Sequence, residues 1–133
     1  MFLTYVERNL GIERPTVIYD YPELLGGFAK NKESDPRFTE RIELYLNGIE
    51  IANGYTEITD AEEQLKRWMK YQKNAYSFDM DFLNYLKDGM PPSAGIALGI
   101  DRLMMFFLGK EDIGDIMPFS FKYFKESGDK CEQ

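Results

Sequence analysis

Apolar and polar positions along the chain change period several times, and each change marks an element. In "RIELYL", Ile42, Leu44 and Leu46 alternate with Arg41, Glu43 and Tyr45. This period of two predicts a half-buried strand with the aliphatic set inward. Asn47-Gly48 follows, a pair that suits a two-residue hairpin turn, so a return strand is expected from Ile49. Thr59 and Glu62 have the spacing of a capping box at a helix start, and Ala61, Leu65, Trp68 and Met69 supply one apolar face. A second helix is predicted from Asp81 to Asp88, with Phe82, Tyr85 and Leu86 on one side and Gly89 as its stop. "GIALGI", from Gly95 to Ile100, has no alternation and reads as a strand buried on both faces; Asp101 to Leu108 then reads as a buried helix ended by Gly109. Upstream lie a short helix over Phe2 to Asn9 that closes near Gly11, a short strand over Thr16 to Tyr19, and a loop over Gly26 to Arg37. A hairpin with segregated helices implies an α+β domain on a largely antiparallel sheet.

Composition narrows the chemistry. The 133 residues are room for one domain, and 15% aromatic content argues against disorder. No apolar stretch is long enough to cross a bilayer, and "MFLTYVERNL" lacks a basic n-region and a cleavage site, which points to a cytoplasmic protein without a membrane partner. Cys131 is the single cysteine, so there is no disulfide framework and no cysteine-based metal site. The net charge of −7 disfavours nucleic acid across the whole surface. The chain has no histidine. A Ser-His or Cys-His nucleophile is therefore excluded within it, and any catalysis rests on carboxylates, arginine, backbone amides and a hard metal ion such as Mg²⁺.

Two stretches carry candidate chemistry. In "GIALGIDRLMM", Gly95 and Gly99 remove side chains from the strand just before Arg102 enters the first turn of a helix. A flat ligand fits against such a backbone, with the guanidinium stacked on it or paired to a phosphate. The alternative is close helix packing, with Arg102 paired to a core carboxylate. In "GIEIANGYTEITD", Glu50, Asn53 and Glu57 fall within eight residues of a strand that should otherwise be core. Such groups are costly to bury unless a cation or a ligand ammonium meets them; the alternative is a solvated edge strand. Regular pleating puts Glu50 on one face and Asn53 and Glu57 on the other, so a shared pocket requires a break, for which Asn53-Gly54 is the expected bulge.

"PPSAGIALGIDRL" resembles motif 3 of class II aminoacyl-tRNA synthetases, in the branch for lysine, aspartate and asparagine. "ERIELYLNGIEIANGYTEITDAEEQLKRW" is similar to the strand pair and following helix of the lysyl branch. Ala97 stands where lysyl-tRNA synthetases usually have glycine. "G-I-A-L-G-I-D-R-L" and the early "FLTYVERNLGIERPTVIYDYP" look more like the group of shorter proteins that attach lysine to elongation factor P.

The resemblance implies roles by position. Glu50 matches a glutamate that helps hold ATP through Mg²⁺, and Ile51 offers backbone contact to the nucleotide. Asn53 and Glu57 match residues that meet the lysine ammonium. Gly99 matches the glycine under the adenosine, Arg102 the arginine on the adenine and terminal phosphate, and Asp101 a structural aspartate. The implied reaction forms lysyl- or β-lysyl-adenylate from ATP for transfer to elongation factor P. It needs no general base, because the attacking carboxylate is already ionised.

The family's motifs 1 and 2 are not found in residues 1–133, and "LLGGFAK" departs from the usual run before Leu-Ala. The chain is expected to be the C-terminal half of such a catalytic domain, inactive alone without the motif 2 arginine. It is read as a fragment, a split-gene product whose partner chain supplies motifs 1 and 2, or a degenerate paralogue. The alternatives to the elongation factor P reading are part of a lysyl-tRNA synthetase, with tRNA disfavoured by the acidic charge, and a non-catalytic module that keeps nucleotide or amino-acid binding. The aromatic residues of the tail, Phe119, Phe121, Tyr123 and Phe124, are expected to pack on the sheet.

Overall fold

The computed structural model describes residues 5–71 and 79–120. Four strands, β1 (Thr16–Pro22), β2 (Phe38–Leu46), β3 (Ile49–Thr56) and β4 (Ala94–Leu98), hydrogen-bond in the order β1-β2-β3-β4. Among the described residues, the helices α1 (Ala61–Tyr71), α2 (Met80–Gly89) and α3 (Ile100–Leu108) and short 3₁₀ turns complete an α+β architecture. The sheet is antiparallel, as the class expected from the sequence requires.

The β2–β3 hairpin forms where Asn47-Gly48 predicts it, with both residues at positive φ, 49° and 74°. That pair of conformations matches the right-handed twist of the flanking strands. The alternation in β2 is real, but the expected inward set is only partly inside: Leu46 is buried and Leu44 half-buried, while the polar set is buried more deeply. Thr39, Glu43 and Tyr45 are buried, whereas Ile42 is 42% exposed. The polar set is stable inside because it finds partners. The Thr39 hydroxyl donates to the Tyr21 carbonyl at 3.1 Å, and the Tyr21 hydroxyl donates to Glu43.

The described residues cluster into two units. One comprises the described parts of Met1–Thr16, Leu44–Ala52 and Leu98–Gln133. Here Tyr5 is helical and a 3₁₀ turn follows over Glu7–Asn9, within the segment where a helix is expected from Phe2; residues 1–4 lie outside the described ones. Gly11 then brings its backbone against the hairpin: its carbonyl accepts from Asn47 N at 2.8 Å. A Cβ on Gly11 would stand 2.4 Å from the Tyr45 carbonyl oxygen, so this close approach needs glycine.

The other unit comprises Val17–Glu43 and Asn53–Ala97. Its core is Ala61, Leu83 and Leu86, with Leu65, Trp68 and Met90 packed against them. Trp68, Phe28 and Phe82 add ring contacts with centroids 5.8 to 6.4 Å apart. The face of α2 that is buried is Leu83 and Leu86; Tyr85, expected there, is 73% exposed. In α1, Ala61, Leu65 and Trp68 face the core as expected, but Met69 is exposed, at 62%, and Gln64 and Arg67 are buried as well. The cap of α1 is Asp60, whose Oδ1 accepts from Glu63 N at 2.7 Å, in place of the predicted Thr59 box. At its far end Lys70 and Tyr71 both reach Glu23. Burial pushes the Glu23 carboxyl up, but these hydrogen bonds and the charges of Lys70 and Arg67 outweigh it and hold it below its ordinary value.

Two expectations of burial fail. All five residues of β4 are exposed, and Met105 is the only buried residue of α3. The apolar run reports affinity for a covering layer, while β4 has β3 as its one hydrogen-bonded neighbour in the sheet order. Phe119 is 83% exposed rather than packed on the sheet; Phe121, Tyr123, Phe124 and Cys131 lie outside the described residues.

Candidate functional site

In the unit that holds α3, the strand-to-helix junction organises one group. Gly99 N donates to the Ile51 carbonyl at 2.8 Å, which ties the start of α3 to β3. Arg102, in the first turn of α3, donates from Nη1 to the Glu50 carbonyl at 3.0 Å and lies 3.9 Å from the Glu50 carboxylate. A Cβ on Gly99 would stand 3.3 Å from Arg102 Cδ and 3.5 Å from the Ile51 carbonyl. Glycine therefore leaves the space that the Arg102 stem occupies at the junction.

Arg102 and Glu50 line a cleft of about 800 Å³, with Arg8, Met105, Glu111 and Asp112 among its other walls. The Arg102 side chain is half exposed and that of Glu50 30% exposed. Arg102 is thus braced against a carboxylate, as the packing alternative requires, and also presented to a cleft large enough for a ligand, as the binding alternative requires. A guanidinium with five donors in a plane serves both purposes. Among the described residues no three His, Cys, Asp or Glu groups come together to hold a metal ion by themselves. Glu50 offers one carboxylate, a donor set that suits Mg²⁺ carried in on substrate phosphates rather than one caged by protein.

The other unit holds Asn53 and Glu57. Asn53 Oδ1 accepts from Arg41 Nε at 3.3 Å. The backbone of Glu57 is pinned on both sides: its N–H donates to the Ser93 carbonyl at 2.9 Å, and it pairs with Ala29. Glu57 Oε1 lies 3.8 Å from where a Cβ on Gly95 would stand, so the carboxylate faces Gly95 at ordinary van der Waals distance. β3 runs unbroken through Asn53-Gly54. Gly54 is required there by proximity, since its Cβ would stand 2.9 Å from the Gly95 carbonyl oxygen and 3.0 Å from Ile96 Cβ.

The sequence-predicted residues therefore fall into two sets: Glu50, Ile51, Gly99 and Arg102 in one unit, Asn53 and Glu57 in the other. Asp101 is exposed. Sequence reasoning missed Arg41, Glu43 and Tyr21, which interlock beside Asn53. The signal was present as an Arg and a Glu two apart on one strand face, but alternation assigns such a pair to solvent.

Comparison with known proteins shows the family. The family model described as class II tRNA synthetases (D, K and N) matches residues 3–122. An "Elongation factor P--(R)-beta-lysine ligase" of Photorhabdus laumondii is 39% identical over 127 residues, which cover 90% of this chain and 39% of that protein. The protein of the same name from Haemophilus ducreyi is 40% identical over 126 residues, 90% of this chain and 38% of that protein. The chain spans about two fifths of the length of these curated relatives. The chain belongs to the class II tRNA synthetases of the aspartyl, lysyl and asparaginyl type.

Proposed function

We propose that this chain is part of an ATP-dependent ligase that activates lysine or β-lysine as the adenylate and transfers it to elongation factor P in the cytoplasm. The observation that carries the reading is Arg102 and Glu50 side by side in the wall of the cleft, a cation and a carboxylate, with Gly99 tying the start of α3 to β3. The names of the relatives favour elongation factor P over tRNA as acceptor. No described helix is long and apolar enough to cross a membrane.

In this reading the ATP subsite is Glu50, the Ile51 backbone, Gly99 and Arg102, and Asn53 and Glu57 recognise the amino acid. A carboxylate oxygen of the amino acid forms a bond to the α-phosphorus of ATP, and the bond to the bridging oxygen breaks to release pyrophosphate. Mg²⁺, held through Glu50, would offset phosphate charge. Arg102 orients the nucleotide and neutralises its terminal phosphate. Glu57 gives selectivity, because an ammonium is strongly penalised where its partner is missing.

Neither described arginine near the amino-acid residues is available as a substitute for the one in motif 2. Arg67 donates to the carbonyls of Gly27 and Ala29, and Arg41 is engaged with Glu43, Leu25 and Asn53. The chain alone is therefore proposed to bind nucleotide without turnover. Calorimetric titration with Mg-ATP tests the subsite. Arg102→Ala should weaken binding by about 1.5–3 kcal/mol, the value of a charge-assisted hydrogen bond. Unchanged affinity in a folded variant would remove Arg102 from the site.

A further inference from the structure

Arg41 is engaged on three sides in the unit that contains Asn53. Its Nη2 donates to Glu43 Oε1 at 2.5 Å, its Nη1 to the Leu25 carbonyl, and its Nε to Asn53 Oδ1 at 3.3 Å. The guanidinium carbon lies 4.9 Å from the centre of the Tyr21 ring, whose hydroxyl donates to the other Glu43 oxygen. The Arg41 side chain is 20% exposed and that of Glu43 6%, so this charge pair is largely withdrawn from water and its geometry is held from several directions.

Arginine carries donors and no acceptor. The Asn53 atom that faces it is therefore oxygen by chemistry, whichever way a carboxamide is first placed. The Nδ2 end is the one turned away from Arg41. We propose that Arg41 is a positioning residue for Asn53: braced by Glu43, Tyr21 and Leu25, it fixes the carboxamide so that the side chain offers its N–H pair to a ligand. Without that brace the carboxamide can turn over about its last torsion, and donor and acceptor exchange places. The orientation follows from the network; its consequence for binding rests on the reading of Asn53 as an amino-acid-binding residue.

Arg41→Lys separates orientation from charge. It keeps a cation for Glu43, but one ammonium on a flexible stem cannot serve Glu43, Leu25 and Asn53 in the three directions of the guanidinium. In ¹⁵N-edited NMR of the whole chain, the Asn53 Nδ2 protons should give two well-separated signals. Arg41→Lys should bring them to the shifts of a solvent-exposed amide while the backbone spectrum is kept. The reciprocal variant, Asn53→Ala, should move the Arg41 Nε–H signal and leave the Tyr21 ring signals in place; it serves also where Arg41→Lys fails to fold. In a lysine titration, Arg41→Lys should weaken binding roughly tenfold, the size of one lost hydrogen bond. Asn53 signals unchanged in Arg41→Lys, or an Arg41 Nε–H signal unmoved in Asn53→Ala, would overturn the proposal. A wild-type chain that takes up no lysine or β-lysine would instead overturn the binding role of Asn53, and the NMR signals alone would decide the orientation.

Discussion

Glu57 is the residue at which selectivity for an amino acid with a side-chain amine should be read. Its backbone is pinned by Ser93 and Ala29, and its carboxylate faces Gly95. Glu57→Gln keeps the shape and removes the charge. It should weaken binding of lysine or β-lysine by about 1.5–3 kcal/mol while leaving Mg-ATP binding close to wild type. Equal losses for both ligands in paired titrations would remove Glu57 from the role of ammonium partner. At this scale the sequence singled out residue types unusual for their place, an arginine after a glycine-rich strand and two carboxylates on one strand, and the structure brings Arg102 onto Glu50. The sequence was illegible at Arg41 and Glu43. Polarity alone sends both outward, whereas a tyrosine hydroxyl and a carbonyl from distant parts of the chain make an inward position affordable.

At the scale of elements, order and type followed the periodicity closely, and the hairpin turn at Asn47-Gly48 was fixed by local backbone preference. The facing of elements followed only in part, because a face is chosen by what packs against it. α1 shows this most clearly. Its buried Arg67 reaches back to the carbonyls of Gly27 and Ala29 and to Asn31 Oδ1, so a polar side chain clamps the loop that pairs with Glu57. Arg67→Met retains apolar bulk and deletes every donor. It should cost about 3 kcal/mol or more in urea denaturation, since carbonyls buried under the guanidinium lose their partner. A loss below about 1 kcal/mol, the ordinary range for a surface substitution, would mean that the clamp carries no weight.

At the scale of the molecule, the exposed apolar residues of β4 and α3 and the span of two fifths of the relatives' length set the limit on what this chain is proposed to do. Activation needs charge neutralisation on every side of the transferring phosphorus, and the described arginines near Asn53 are committed to internal partners. The most direct measurement is ATP–pyrophosphate exchange with lysine or β-lysine, run on the purified 133-residue chain and on a chimaera in which it replaces the matched segment of the Photorhabdus laumondii protein. The chain alone should give no exchange above background. The chimaera should exchange in the presence of either amino acid, with the rate falling on the order of 10² or more in Arg102→Ala. Robust exchange by the chain alone, or a folded chimaera that binds ATP and exchanges nothing, would contradict the account.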